Sequence, residues 1–266
     1  MTNRTWLILP LLAVSLTAAA PRVSTHKWVV NFADAQCLAE RDYGTADAPL
    51  RLVLKQPPLG DVIQLAVVQK KGAGAPVQYD GRVKFDDRPP LKLSVLKFEP
   101  KAAKVKTYLF NIPIKDFEHA RVANIVSVSA PGMREEFKLS NVSSVMKIMD
   151  ECVADLRNLF NIDPAGQRAM AGIKPPDGTL AGMFSPNDYP DDAIRRSQSG
   201  TVEVMILVDE KGSVADCAIV GSSASAALDG QTCAVMRARA KFRPAQGTDG
   251  RPTRGAFRQR ITWRVQ

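Results

Sequence analysis

GTVEVMILVDEKGSVADCAIV, residues 200–220, decides how this chain is read. Val202, Val204, Ile206 and Val208 alternate with Thr201, Glu203, Met205 and Leu207, the period-two pattern of a strand. Asp209-Glu210-Lys211-Gly212 then turns the chain, with glycine where a positive φ is wanted, and Ala215, Cys217 and Ile219 carry the alternation onward. The pattern predicts a β-hairpin. Working outward, Leu228, Val235 and Met236 mark a helix with Cys233 near the same side, and Asp188 to Arg196 reads as a short helix with Pro190 near its first turn. At the end of the chain Phe257, Ile261, Trp263 and Val265 share one parity while Arg258, Arg260, Thr262 and Arg264 share the other. A last strand with apolar groups inward and arginines outward is expected there.

Upstream the grammar changes. From Trp28 to Leu139, short alternating runs follow one another: Trp28, Val30 and Phe32; Leu50, Leu52 and Leu54; Ile63, Leu65 and Val67; Leu91 and Leu93; Tyr108, Phe110 and Ile112; Val122, Val126 and Val128. Pro57-Pro58-Leu59-Gly60, Gly72-Ala73-Gly74, Asp86 to Pro90 and Pro131-Gly132 punctuate them. An antiparallel β module results. It closes with a helix, because Val142, Val145, Met146, Met149, Val153, Leu156 and Phe160 recur at steps of three and four, with Ser140 or Asn141 to cap its start. Pro164, Gly166, Gly172, Pro175, Pro176, Gly178 and Gly182 are too dense for a regular element, so residues 161–183 read as a linker able to let two domains reorient. The expected class is α+β: residues 1–20 a signal peptide or short anchor, 21–160 the β-rich domain, 161–183 the linker and 184–266 the C-terminal domain.

The 266 residues carry a net charge of +9, and most of the surplus lies near the end, where nine basic residues from Arg237 to Arg264 face Asp249 alone. Such an end suits an anionic partner. Arg4, the apolar run Trp6 to Leu16 and the small residues Thr17 to Ala20 read as a secretory signal, which argues against nucleic acid and for the periplasm, with inner-membrane anchorage if the segment is uncleaved. Four cysteines in an exported chain suggest two disulfides; three pairings exist, and Cys37 with Cys152 and Cys217 with Cys233 keep each bridge inside one module.

No catalytic or cofactor motif competes. Ser222-Ser223 lacks a G-x-S-x-G setting, and the two histidines, His26 and His119, lie outside the C-terminal module. Asp191-Asp192 and Glu135-Glu136 are sequence neighbours that point apart, and nothing has metal-ligand spacing. No enzyme activity, cofactor or metal is expected. Arg237 to Arg243 read as solvating the end of the helix, and Trp263 as core.

From about Phe184 to Val265 the chain resembles the TonB C-terminal domain family. The marks are Tyr189-Pro190-x-x-Ala193, Gly200-x-Val202-x-Val204, Val208-Asp209-x-x-Gly212-x-Val214, Val220-x-Ser222-Ser223, Leu228-Asp229, Ala234, Arg237 through Phe242-x-Pro244-Ala245, and Gly250-x-Pro252. The resemblance implies three antiparallel strands backed by two helices and no catalytic centre. It further implies binding of outer-membrane TonB-dependent receptors, whose short N-terminal box joins the sheet as an added strand, and force transmission from inner-membrane motor proteins. The pairing edge expected here is the last strand, with Arg258, Gln259, Arg260, Ile261, Thr262, Trp263 and Arg264 along it, and the same edges would serve a homodimer. A β module stands where energy-transducing members carry a long Pro-rich spacer. The rival expectation is an envelope adaptor whose basic face binds anionic surfaces.

Overall fold

The computed structural model describes residues 20–33, 35–58, 62–70, 77–99, 105–163 and 168–265. The signal-like segment, Ala20 apart, and the turn at Gly72-Ala73-Gly74 lie outside the described residues. The N-terminal module is a nine-stranded antiparallel sheet of β1 (Val29–Ala33), β2 (Gln36–Asp42), β3 (Leu50–Gln56), β4 (Val62–Lys70), β5 (Val77–Phe85), β6 (Leu91–Phe98), β7 (Val105–Pro113), β8 (Ile125–Ala130) and β9 (Met133–Lys138). Their spatial order is β1-β2-β3-β4-β7-β6-β5-β8-β9. A short helix α1 (Ile114–Phe117) joins β7 toward β8. Leu52, Leu65, Val67, Val83, Val95, Phe110, Ile112, Val126 and Phe137 are buried along its inner face. Helix α2 (Val142–Leu159) lays Val145, Met146, Met149, Val153 and Leu156 into the same core.

The sheet curls until its two ends meet. Arg22 donates its backbone N–H to Glu136 and accepts from Lys138, which places the N-terminal stretch beside β9. Tyr43, just past β2, sets its ring edge-on to Phe137 at 4.8 Å and donates to the Lys138 carbonyl. Arg41 lies buried at this seam, spending its guanidinium on the carbonyls of Ser24, His26 and Ser140, with the rings of Trp28 and Tyr43 within 6 Å. The Cys37–Cys152 disulfide bolts α2 to β2 across 115 residues.

Some expectations are corrected here. Val122 belongs to a 3₁₀ turn and is exposed, and the strand it was grouped with starts at Ile125. Strands β2, β5 and β9 escape a hydrophobic pattern because their inner parity is interrupted, by Arg41 in line with Cys37 and Ala39, by Gly81 in line with Val83 and Phe85, and by Glu135 in line with Met133 and Phe137. Asn141 does precede α2, but in the left-handed region at φ 64° and without a side-chain capping bond.

The C-terminal module holds helix α3 (Asp191–Arg195), strands β10 (Gly200–Val208) and β11 (Val214–Gly221), helix α4 (Ala226–Arg239), a ribbon of β12 (Ala245–Gln246) and β13 (Pro252–Thr253), and β14 (Gly255–Trp263). Its three-stranded antiparallel sheet runs β11-β10-β14. The turn glycine is doubly required: Gly212 has φ 79°, and a Cβ there would stand 1.9 Å from the Phe242 carbonyl oxygen. One face of the sheet, Val202, Val204, Ile206 and Val208, packs with Leu228 and Met236 of α4, and Cys217–Cys233 ties β11 to that helix. On the other face Met205, Leu207, Val220 and Ala256 belong to the same hydrophobic cluster as the interior of the curled sheet.

The two modules therefore interlock. The connecting stretch is held against the C-terminal module, Lys174 pairing with Gln246 and Asp177 with Arg243. Asp216 on β11 has no exposed surface and accepts from Lys55 of β3 and Arg237 of α4, both at 2.8 Å. Burial pulls the Lys55 ammonium below its ordinary pKa, and the Asp216 carboxylate partly offsets this. The start of α4 is capped from the other module: the Ala227 N–H donates to the Gln78 side chain and the Ala226 N–H to the Ser94 hydroxyl. Removing one partner of a buried pair strands the other charge, so Asp216→Leu is expected to lose about 3–5 kcal/mol of unfolding free energy in urea titrations. Adding Lys55→Met should restore much of that loss, whereas strictly additive losses would show the two groups uncoupled.

Candidate functional site

Strand β14 has β10 on one side and, among the described residues, no strand on the other. Its register with β10 is unbroken from Gly255 opposite Val208 to Trp263 opposite Gly200. The opposite outer strand, β11, is covered: Arg237 donates to the Cys217 carbonyl, and Asp216 is locked to the other module. One long edge of this small sheet is thus open and the other is closed.

What holds the open edge straight is Trp263. It is buried, donates its indole N–H to the Thr232 hydroxyl at 2.9 Å, and meets the rings of Phe184 and Tyr189 edge-on at 5.5 and 5.3 Å. Thr232 passes its own hydrogen to the Leu228 carbonyl, so strand end, α4 and the Phe184–Tyr189 turn form one polar-ended aromatic cluster. At the other end Phe257 stacks edge-on against Phe242 at 4.9 Å. Of Phe257, Ile261, Trp263 and Val265, for which the sequence predicts inward parity, the first three pack against the helix-side core, whereas Val265 lies past the end of the strand and is exposed.

The outward parity is not a bare basic stripe. Arg258 and Arg260 both approach Glu203 on β10, at 3.7 and 3.5 Å, and Thr262 shares a hydrogen bond with Thr201. Arg264 lies just past the strand, exposed. Four more residues of the basic end are answered by carboxylates from elsewhere, Arg237 by Asp216, Arg239 by Asp188, Arg243 by Asp177 and Arg254 by Glu210, while Arg251 meets the nearby Asp249 and Lys241 donates to the Ser213 hydroxyl. Arg237 and Arg239 do not merely solvate the helix end as the sequence suggests; they bind acids distant in sequence. The Gln259 side-chain amide donates to the Arg260 carbonyl. A carbonyl turned toward β10 would sit inside the ladder, so Arg260, and by alternation Arg258 and Thr262, direct their backbone groups toward the open side.

Two buried acids shape the scaffold. Asp188 accepts from both terminal nitrogens of Arg239 at 2.7 Å and from the Ser185 N–H and hydroxyl; the Arg239 bonds above all hold its carboxyl well below the usual carboxylate range. Asp229, in the first turn of α4, accepts from Ser222, Ser223 and Asn111, but burial outweighs these bonds and pushes its carboxyl up. This gives Ser222-Ser223 its role: the pair satisfies a buried carboxylate at the strand-to-helix junction. No group of three or more histidine, cysteine, aspartate or glutamate side chains is placed to hold a metal ion among the described residues. Sequence reading missed Glu203 and Asp188 as arginine partners, and Gln78 and Ser94 as caps; each works across more than fifty residues of chain.

Residues 185–265 match the family described as Gram-negative bacterial TonB protein C-terminal. The match covers less than a third of the chain and coincides with the module that carries the open edge. That family is one of non-catalytic interaction domains in TonB-dependent transport. No curated protein and no solved structure is similar enough to this chain to count as a match. No helix among the described residues is long and apolar enough to cross a membrane.

The Asp188 pair yields a pH signature. A carboxyl whose folded-state pKa lies below its ordinary 3.8 stabilises the fold above that range, and the contribution drains away as pH falls. Asp188→Asn is therefore expected to flatten the acid limb of the stability–pH curve between about pH 5 and pH 3, read from urea midpoints. An unchanged limb would show that Arg239 does not hold that carboxylate in the fold.

Proposed function

We propose that this chain binds periplasmic segments of outer-membrane TonB-dependent receptors, and that its C-terminal module captures them by strand addition at β14. The observation that carries the reading is the asymmetry of the small sheet within the family-matched segment: β11 is covered, β14 is open, and Trp263 anchors the open strand to the core. An added strand gains directional main-chain hydrogen bonds, and side chains flanking the edge select the partner. The pairing residues are Arg258, Gln259, Arg260, Ile261, Thr262, Trp263 and Arg264. The chain acts in the periplasm, in TonB-dependent transport, without catalysing a reaction.

The rival reading, adhesion of a basic face to anionic surfaces, loses its footing in the ion pairs. Arg237, Arg239, Arg243, Arg254, Arg258 and Arg260 each stand within 4 Å of a carboxylate, so the positive end of the sequence is largely neutralised in the fold. Energy transduction would further require coupling to inner-membrane motor proteins through the N-terminal segment. A homodimer would use the same edge and so compete with the receptor segment.

The test places proline on the free side of the strand. Proline is tolerated on an edge strand where its missing N–H faces away from the ladder. Arg260→Pro is expected to leave the urea midpoint near that of the parent while abolishing capture of a receptor box peptide, measured by fluorescence anisotropy. Ile261→Pro, which faces β10, should instead damage the fold itself. Parent binding should weaken only modestly as salt rises, because main-chain pairing is not screened as adhesion through charges would be. Full affinity in a folded Arg260→Pro protein would rule out β14 as the edge.

A further inference from the structure

Between the modules lies a cavity of about 640 Å³ that strand addition does not use. The sheet register draws its floor. On the outer face of the large sheet Val53 stands opposite Ala66, Ala66 opposite Leu109 and Leu109 opposite Leu96, one aliphatic row across four strands. The solvent face of an antiparallel sheet is normally polar, so an aliphatic row there calls for a cover. The cover is α4, which presents Ala227, Gly230 and Ala234 to the same cavity at helical spacing. A Cβ on Gly230 would stand 2.7 Å from the Leu96 side chain, so roof and floor touch at one point and part elsewhere.

One row over, the floor turns polar. Lys55, Gln64 and Asn111 stand opposite one another on β3, β4 and β7, and all three line the cavity. The slot therefore has a smooth aliphatic length with a band of hydrogen-bonding groups alongside. Along the aliphatic row the walls are aliphatic or small, with Phe98 the one aromatic residue, which suits a narrow unbranched ligand; Asp191, Asp192, Arg195, Asp229, Gln231 and Arg237 also line the cavity and add to its polar part. The volume falls within the usual span for small-molecule sites, about 300–1,000 Å³, and such sites favour domain interfaces.

We infer that this slot holds one extended acyl chain, lying along the Val53–Ala66–Leu109–Leu96 row with its carbonyl-bearing head at the Lys55–Gln64–Asn111 row. The chain could be that of a free fatty acid or of a single-chain phospholipid; both present the same tail. Because the floor belongs to one module and the roof to the other, an occupied slot adds contacts across their interface. This inference is independent of the strand-addition reading.

The test titrates the delipidated full chain with cis-parinaric acid and follows its fluorescence, then displaces the probe with saturated fatty acids of increasing length and with lysophosphatidylcholine. Saturable binding at one site is expected, tightening by up to about fourfold per added methylene until the slot is filled. Ala66→Trp from the floor and Ala234→Trp from the roof should each weaken the probe at least tenfold while keeping the parent's urea midpoint. Displacement by the fatty acid, by the lysophospholipid or by both identifies the source and supports the site. Non-saturable uptake, affinity indifferent to chain length, or full binding in both folded tryptophan variants would overturn it.

Discussion

Asp216 is the point on which the arrangement of this molecule depends. Its carboxylate has no exposed surface, yet it serves a lysine from the large sheet and an arginine from helix α4 at once. Left alone, a buried carboxylate would be strongly unfavourable; with two cations at 2.8 Å it becomes a three-way joint that only the docked arrangement can satisfy. The neighbouring caps extend the same logic. Helix α4 begins with amides that a free-standing small domain would have to satisfy by itself, and here Gln78 and Ser94 of the large sheet accept them. The family-matched module is thereby built into the rest of the chain instead of being carried at the end of a tether.

Much of this was legible in the sequence, for a definable reason. Where one face of an element is buried and the other wet, the period shows, and so the 200–208 strand, the 142–159 helix and the parity of 257–263 could be read from the residues. Within-module disulfides follow from the same reading, and the fold forms both, Cys37–Cys152 and Cys217–Cys233. What hid was whatever mixes charge into a strand. β2 reads QCLAERD and β9 reads MREEFK, and each carries a charge on its inner parity, Arg41 in line with Cys37 and Ala39 and Glu135 in line with Met133 and Phe137, which breaks the alternation.

The open edge was named from the sequence through a family resemblance, but its electrostatics were not. Counting charges along the chain gives a strongly basic end, because neighbours in sequence are counted together. Folding brings Glu203, Glu210, Asp188, Asp177 and Asp216 to those same arginines. The exposed links among these, at Glu203, Glu210 and Asp177, contribute little stability, yet all of them cancel a field. Recognition at β14 is left to backbone geometry and to shape. A linear charge count is blind to this, and so is any local pattern, since the partners come from separate elements.

The seam of the large sheet has a consequence for how the molecule is made. Its closing pieces come from opposite ends of the module: Arg22 and Arg41 from the beginning, Phe137 from the ninth strand, and Ser140 and Cys152 from beyond it. A polypeptide that emerges with its first residue leading, from a ribosome or through a translocation pore, must hold its early strands without their closing neighbour until more than a hundred further residues have followed. During that interval the Cys37 thiol waits for a partner that has not yet appeared, and the inner aliphatic face has no helix to cover it. Completion is thus deferred to the arrival of α2, which fills the interior and brings the second sulfur in the same movement.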